Sequence, residues 1–238
     1  MNLEIKFRVA EVSDYDNVLE FLRLNFFSEE PINNAYPVKD DSCEEEFIMS
    51  LLPEGNIILA LDATNDNLAG LASFGKITRN YAKESWEESE QTTNKKWRDI
   101  LKFMNHIERY EFEYTYINMT KKVGINICML NSSKSDICAR FNIPEALHIH
   151  GVTVDKKYRG RALGEKLFNE CFKAAADRHY QIVSADCSSV YSIHIAKKLN
   201  MELVSSVTYD EYHEKIDKKV FNPILPHTEI KSFIKRIC

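Results

Sequence analysis

Glycine is scarce in this chain, with 7 among 238 residues, about half the usual frequency. Gly151, Gly160 and Gly164 nevertheless fall within fourteen positions. Where glycine is rare, such a cluster marks a backbone that requires it. The six cysteines never form a CxxC pair. Neither a metal ribbon nor a disulfide framework is indicated, and a cytoplasmic location is expected. No run approaches ~18 consecutive apolar residues, so no membrane span is expected. The opening MNLEIKFRVA lacks the apolar stretch of a signal peptide. A cationic surplus is also missing. With 31 Lys and Arg against 36 Asp and Glu, a broad nucleic-acid surface is not expected.

What is present is the composition of a folded chain. Hydrophobic residues make up 44% and aromatic residues 11%, enough to bury a substantial core. Residues 3–9 alternate with period two and predict a strand. Ser13 and Asp14 are cap candidates for a helix bearing Val18, Leu19, Leu22 and Phe26. Ser42 with Glu45 reads as a capping box for a second helix. Strands are expected near 57–62 and 68–75, and the acidic stretch 83–94 reads as a surface excursion. Trp97, Ile100, Leu101, Met104 and Ile107 mark an amphipathic helix, and a short helix is expected near 135–141. A regular alternation follows: strand 147–154, helix 161–178, strand 181–185, helix 189–199 and strand 202–209. The tail around Pro223 and Pro226 reads as extended segments completing the sheet. Alternating strands and helices predict an α/β fold, in one domain spanning 1–238.

The segment Val152-Thr153-Val154-Asp155-Lys156-Lys157-Tyr158-Arg159-Gly160-Arg161-Ala162-Leu163-Gly164-Glu165-Lys166-Leu167 carries the most information. It runs from a strand through a basic turn into a helix N-terminus. Such a terminus presents unpaired N–H groups and the positive end of the macrodipole. Gly160 lacks a Cβ, so phosphate oxygens can approach the backbone, and Ala162 and Gly164 keep the first turn thin. Together they suit a diphosphate; a solvated basic surface turn is the plain alternative. Neither GxGxxG nor Gly-Lys-Ser/Thr is present, which disfavours a Rossmann site and a P-loop.

The turn resembles the Gln/Arg-x-x-Gly-x-Gly/Ala motif of the GCN5-related N-acetyltransferases, with Lys157, Gly160 and Ala162 in its slots. The resemblance implies a mixed, mostly antiparallel sheet flanked by helices. It further implies a coenzyme A cradle over about 150–200 and acetyl-CoA as co-substrate, with no metal. Val152, Thr153 and Val154 would pair with pantetheine, while Lys157, Arg159, Gly160, Arg161, Ala162, Gly164 and Glu165 would hold the pyrophosphate. Phe26-Phe27-Ser28-Glu29-Glu30-Pro31-Ile32-Asn33 and Cys187-Ser188-Ser189-Val190-Tyr191-Ser192 narrow this further. They resemble the Asp-Glu-Pro-Leu-Asn and paired-serine segments of insect arylalkylamine N-acetyltransferases. By that resemblance the catalytic residues are Glu30, Ser188 and Ser192, and a helical insertion spans about 83–120. The acceptor would be dopamine, tyramine or serotonin in type. The alternatives are a polyamine, another small amine, a protein N-terminus or lysine, or a coenzyme-A-binding paralogue with weak catalysis. The small-molecule acceptor is the only partner expected, on a monomer.

The chemistry sets requirements of its own. An alkylamine is neutral in only ~0.1% of molecules at pH 7, so a base must remove its proton. Glu30, between an apolar helix end and Pro31, is the candidate, directly or through a water. Ser188 and Ser192 are spaced to share a helix face and protonate the leaving thiolate, or to cap that helix, with Tyr191 in reserve. His148 and His150 share one strand face and suit either a buried pair or a contact to the amine. Phe26, Phe27 and Tyr36 can wall an aromatic pocket, whereas Glu29, Asp40 and Asp41 can hold a second cationic group. The usual acetyltransferase tyrosine acid is absent, its slot being Ala196. Asn200 replaces a glycine and is expected to adopt the left-handed conformation.

Overall fold

The computed structural model describes residues 4–107 and 137–237. The insertion beyond 107 therefore lies outside the described residues. A seven-stranded sheet runs through the molecule in the order β1-β2-β3-β4-β5-β7-β6. Its strands are β1 (Ile5–Val9), β2 (Ile57–Asp62), β3 (Leu68–Thr78), β4 (Glu145–Val154), β5 (Ile182–Cys187), β6 (Glu202–Thr208) and β7 (Glu229–Arg236). Every neighbouring pair is antiparallel except β4 with β5. The α/β fold with a mixed, mostly antiparallel sheet is as the sequence predicts.

Helix α1 (Tyr15–Leu22) buries Val18, Phe21 and Leu22, the i, i+3, i+4 stripe of one helical face. It runs on through a π-helical turn, Arg23–Phe27, to α2 (Pro31–Ala35) and α3 (Ser42–Ser50). Helix α7 (Leu163–Asp177) lays Leu163, Leu167, Phe168 and Cys171 onto the sheet. Helix α8 (Val190–Lys198) follows β5, and Asn200 beyond it is left-handed at φ 53°, as expected for its cap position.

Four local expectations are corrected. The acidic stretch is helical, as α4 (Tyr81–Gln91), and its inward stripe is Ala82, Ser85 and Ser89. Residues that small give almost no hydrophobic signal. Ser42 is the first residue of α3 rather than its cap, because Asp41 takes that position while Glu45 pairs with Arg23 at 2.6 Å. The tail completes the sheet through β7 rather than through 222–226. The strand β6 ends at Thr208, where a Thr208–Glu211 capping box starts an unpredicted helix. The fifth helix, α5, covers 95–107, α6 is Ile137–Arg140 and α9 is Tyr209–Ile216. Helix α5 packs Trp97, Ile100, Phe103 and Ile107 against Tyr209, Tyr212 and Phe221. Of this cluster, Trp97 and Ile100 line one end of the cavity described next.

Candidate active site

A single cavity of about 1130 Å³ runs from the start of α7 to the underside of α5. It exists because β4 and β5 part company. They pair only over Leu147–Ile149 with Val183–Ala185. From Gly151 to Val154, β4 is paired with β3 alone. A register shift opposite Ser73 and Phe74 leaves His150 as the extra residue of a bulge, which bends the strand and opens the split. The β5-facing backbone groups along 151–154 are thus left for a ligand. Phe26 closes over Gly151, where a Cβ would stand 3.2 Å from its ring.

One end of the cavity is the cradle. Gly160 adopts φ +74°, and a Cβ there would meet nothing within 4 Å. Ala162 is the N-cap of α7, itself left-handed at φ 56°, and no side chain caps the helix. The first-turn N–H groups of a fifteen-residue helix therefore point outward without an internal acceptor. Together the open ground at Gly160 and the uncapped terminus fit a diphosphate. Val152, Thr153, Val154, Arg159, Gly160, Ala162, Gly164 and Glu165 all line the cavity, whereas Lys157 and Arg161 are not part of its wall. The Lys157 amide N–H instead donates to Asp155 at 2.7 Å. Thr153 donates its hydroxyl to the Asn25 carbonyl at 2.9 Å, pinning β4 to the π-helical turn. Glu29, expected beside the acceptor, is engaged by the cradle. Its two oxygens lie 2.7 Å from Lys156 and 2.5 Å from Arg159.

The middle of the cavity holds the acid–base groups. Glu30 is the N-cap of α2 and accepts the Asn33 N–H at 2.7 Å. Ser188, 158 positions later, donates its hydroxyl to the other Glu30 oxygen at 2.6 Å. Burial pushes the Glu30 carboxyl above its ordinary range despite these hydrogen bonds and the pull of Lys96. A carboxylate held this way is a stronger base than an exposed one. Ser188 and Ser192 do not share a helix face, because α8 begins only at Val190. Ser189 is its cap, and Ser192 closes the capping box with it. Ser192 still lines the cavity, with its hydroxyl donated to the Ser189 carbonyl at 2.9 Å. Tyr191 is 72% exposed and lines the cavity beside His227.

His148 and His150 come together with ring centres 4.9 Å apart, and both line the cavity. His148 Nδ1 lies 2.8 Å from the Ser184 hydroxyl. Burial pushes both imidazoles below the usual histidine range, His150 well below, so both are neutral at pH 7. The Cys187 thiol is pushed by burial up to about 12, which leaves it un-ionised and unfit as a nucleophile.

The far end is aromatic and acidic. Phe47, Trp97, Ile100, Leu101 and Met104 supply its apolar wall, with Glu44, Glu84 and Glu88 among the lining residues. Sequence reasoning missed Glu44 and Lys96. Lys96 is 2% exposed, touches Asp41 and stands 3.2 Å from Glu44. A buried lysine between carboxylates depends on how α5 packs on α3, and spacing along the chain carries no trace of it. Asp40 lies outside the cavity lining and accepts from Asn94 at 3.0 Å. Among the described residues no group of three or more His, Cys, Asp or Glu is placed to hold a metal ion. None of their helices is long and apolar enough to cross a membrane.

Residues 135–201 match the family model described as the Acetyltransferase (GNAT) family. Three solved structures share the architecture along nearly all of this chain. A mosquito arylalkylamine N-acetyltransferase like 5b superposes with TM-score 0.83 at 28% identity, covering 98% of this chain and 100% of its own. A polyamine N-acetyltransferase of Drosophila melanogaster that forms N-acetylagmatine gives 0.81 at 25%, with coverages of 98% and 100%. The arylalkylamine N-acetyltransferase 2 of Aedes aegypti gives 0.79 at 23%, with coverages of 99% and 100%.

Proposed function

We propose that the chain is a GNAT-type acetyltransferase, as the family match over 135–201 and the likeness at 28% identity support, and that it transfers the acetyl group of acetyl-CoA directly to the primary amine of a small arylalkylamine. The observation that carries this reading is the continuity of one cavity from an uncapped α7 to the Ser188–Glu30 pair. The α7 amides and Gly160 would take the pyrophosphate, and the free edge of β4 at 151–154 would take pantetheine. Acetyl-CoA supplies an activated thioester. Glu30 removes the proton of the incoming ammonium, and Ser188 holds the Glu30 carboxylate in position through their hydrogen bond. Ser188, Ser189, Tyr191 and Ser192 all line the cavity, and of these Ser188, Ser192 or Tyr191 would give a proton to the leaving thiolate. His148 and His150, both neutral, can relay a proton through water but carry no charge to the amine.

The acceptor is argued from the far wall. Phe47 and Trp97 are 5.9 Å apart and, with Ile100, Leu101 and Met104, make a place for an aromatic ring. A polyamine is the second reading. Glu84 and Glu88 of α4 line the same end, and the Drosophila protein of that activity shares the fold at 25% identity. Coenzyme A release over an amine panel separates them. Burying a ring is worth roughly 1.5–3 kcal/mol, or about 10–150-fold. Phenethylamine should therefore exceed a short aliphatic amine of equal basicity by that factor in kcat/KM. Equal values, or a preference for putrescine or agmatine, would replace the arylalkylamine reading with the polyamine one. No coenzyme A release above the amine-free rate with any amine of the panel would indicate a coenzyme-A-binding paralogue.

A further inference from the structure

The chemistry above uses Glu30 and leaves a second enclosed carboxylate without a task. Glu44, in the first turn of α3, lines the same cavity. Its Oε1 accepts from the Asn33 side-chain amide at 3.2 Å. The backbone N–H of that same Asn33 donates to Glu30. The two carboxylates are therefore joined through one residue. Glu44 Oε2 is buried with the Lys96 ammonium 3.2 Å away as its neighbour, and the buried Asn33 Oδ1 is left without a donor.

Charge is unbalanced in the same way. Lys96 is the cation that faces this group, and its close contact is with Asp41, Glu44 Oε2 being the more distant at 3.2 Å. One ammonium thus serves Asp41, Glu44 and, at longer range, Glu30. Burial raises Glu44 to about 7, with Lys96 opposing and Glu30 adding to the rise. The Tyr209 hydroxyl also stands near Glu30 and is buried without a partner. Of these groups Glu30 and Glu44 line the cavity, so two carboxylates face it while their one shared cation, Lys96, stands behind the wall. A primary ammonium brings one charge and three N–H groups.

We propose that Glu44 is a second anionic contact for the acceptor, so that the amine enters as its cation, held between Glu44 and Glu30, before Glu30 takes the proton. This rests on the amine-acetylating reading and deepens it. An enclosed cationic site of this kind selects for charge first and for the shape of the attached group second. It also explains why a lysine is buried at the base of α5: without Lys96 the carboxylates would repel one another too strongly to stay ionised.

The test compares tyramine with tyrosol, which replaces the amine by an uncharged hydroxyl, by calorimetry on the coenzyme-A-loaded protein. The wild type should bind tyramine more tightly than tyrosol. Glu44→Gln should weaken tyramine by about tenfold to a hundredfold, the worth of one charge-assisted hydrogen bond, and leave tyrosol unchanged. In turnover the same variant should raise the amine KM by a similar factor while kcat stays within about threefold. Equal loss for both ligands would reduce Glu44 to a structural part. No loss for either, or a wild type indifferent to the charge, would remove it from the site. If Glu44→Gln does not fold, Glu44→Ala repeats the comparison. The reading it rests on fails separately: a protein that binds tyramine through Glu44 but releases no coenzyme A keeps the cation site and loses the acetylation.

Discussion

Glu30→Gln is expected to lower kcat at neutral pH by about 10²–10⁴-fold, the usual contribution of a general base. Acetyl-CoA affinity should be unchanged. Glutamine preserves the shape of the N-cap, and its carbonyl oxygen can still accept the Asn33 N–H or the Ser188 hydroxyl. What is lost is a carboxylate that burial has made more basic than usual. The sign of the pH dependence follows. A raised carboxyl pKa keeps part of Glu30 protonated, and idle, at mildly acidic pH. Wild-type kcat should climb as pH rises through that raised range, and the variant should lose that limb. Near-normal turnover in the variant at pH 7 would transfer the base to a water on His148 or His150.

Gly160→Asp is expected to weaken acetyl-CoA binding by about a hundredfold or more while the protein remains folded. Space is not the obstacle for the fold, since a Cβ at Gly160 meets nothing within 4 Å. Aspartate is among the residues that best tolerate a positive φ. The open ground is where phosphate oxygens would come to the amides of the α7 terminus. A carboxylate there both fills the approach and repels the anion. Losing one or two charge-assisted hydrogen bonds at ~1.5–3 kcal/mol each accounts for the size of the effect. Calorimetry gives the answer, with circular dichroism as the check on folding. Unchanged affinity in a folded variant would place the cofactor elsewhere.

The cradle was legible in the sequence because it is a demand on the backbone, and a demand on the backbone leaves glycine behind. Gly160 and the small residues Ala162 and Gly164 stand in one short segment, so strand, turn and helix could be read together. Glu30 and Ser188 were legible only singly. Nothing in a separation of 158 positions announces a hydrogen bond between them. The shared helix face of Ser188 and Ser192 is not legible in their spacing, because α8 begins only at Val190: Ser188 precedes the helix, and Ser192 closes its capping box with Ser189 while still lining the cavity. The Glu44–Lys96 pair was invisible for a different reason. A charged residue in an amphipathic helix reads as solvated, and only the packing of α5 on α3 makes Lys96 a buried one. Helix α4 escaped notice because Ala82, Ser85 and Ser89 pack by being small.

One measurement bears most directly on acetyl transfer to an amine at Glu30. Purified protein, acetyl-CoA and tyramine are incubated together, and N-acetyltyramine is quantified by mass spectrometry against free coenzyme A thiol. Product and thiol should appear in equal amounts, at a rate that depends on the amine and collapses in Glu30→Gln. Thiol released without acetylated amine, or product formed equally fast by the variant, would contradict it.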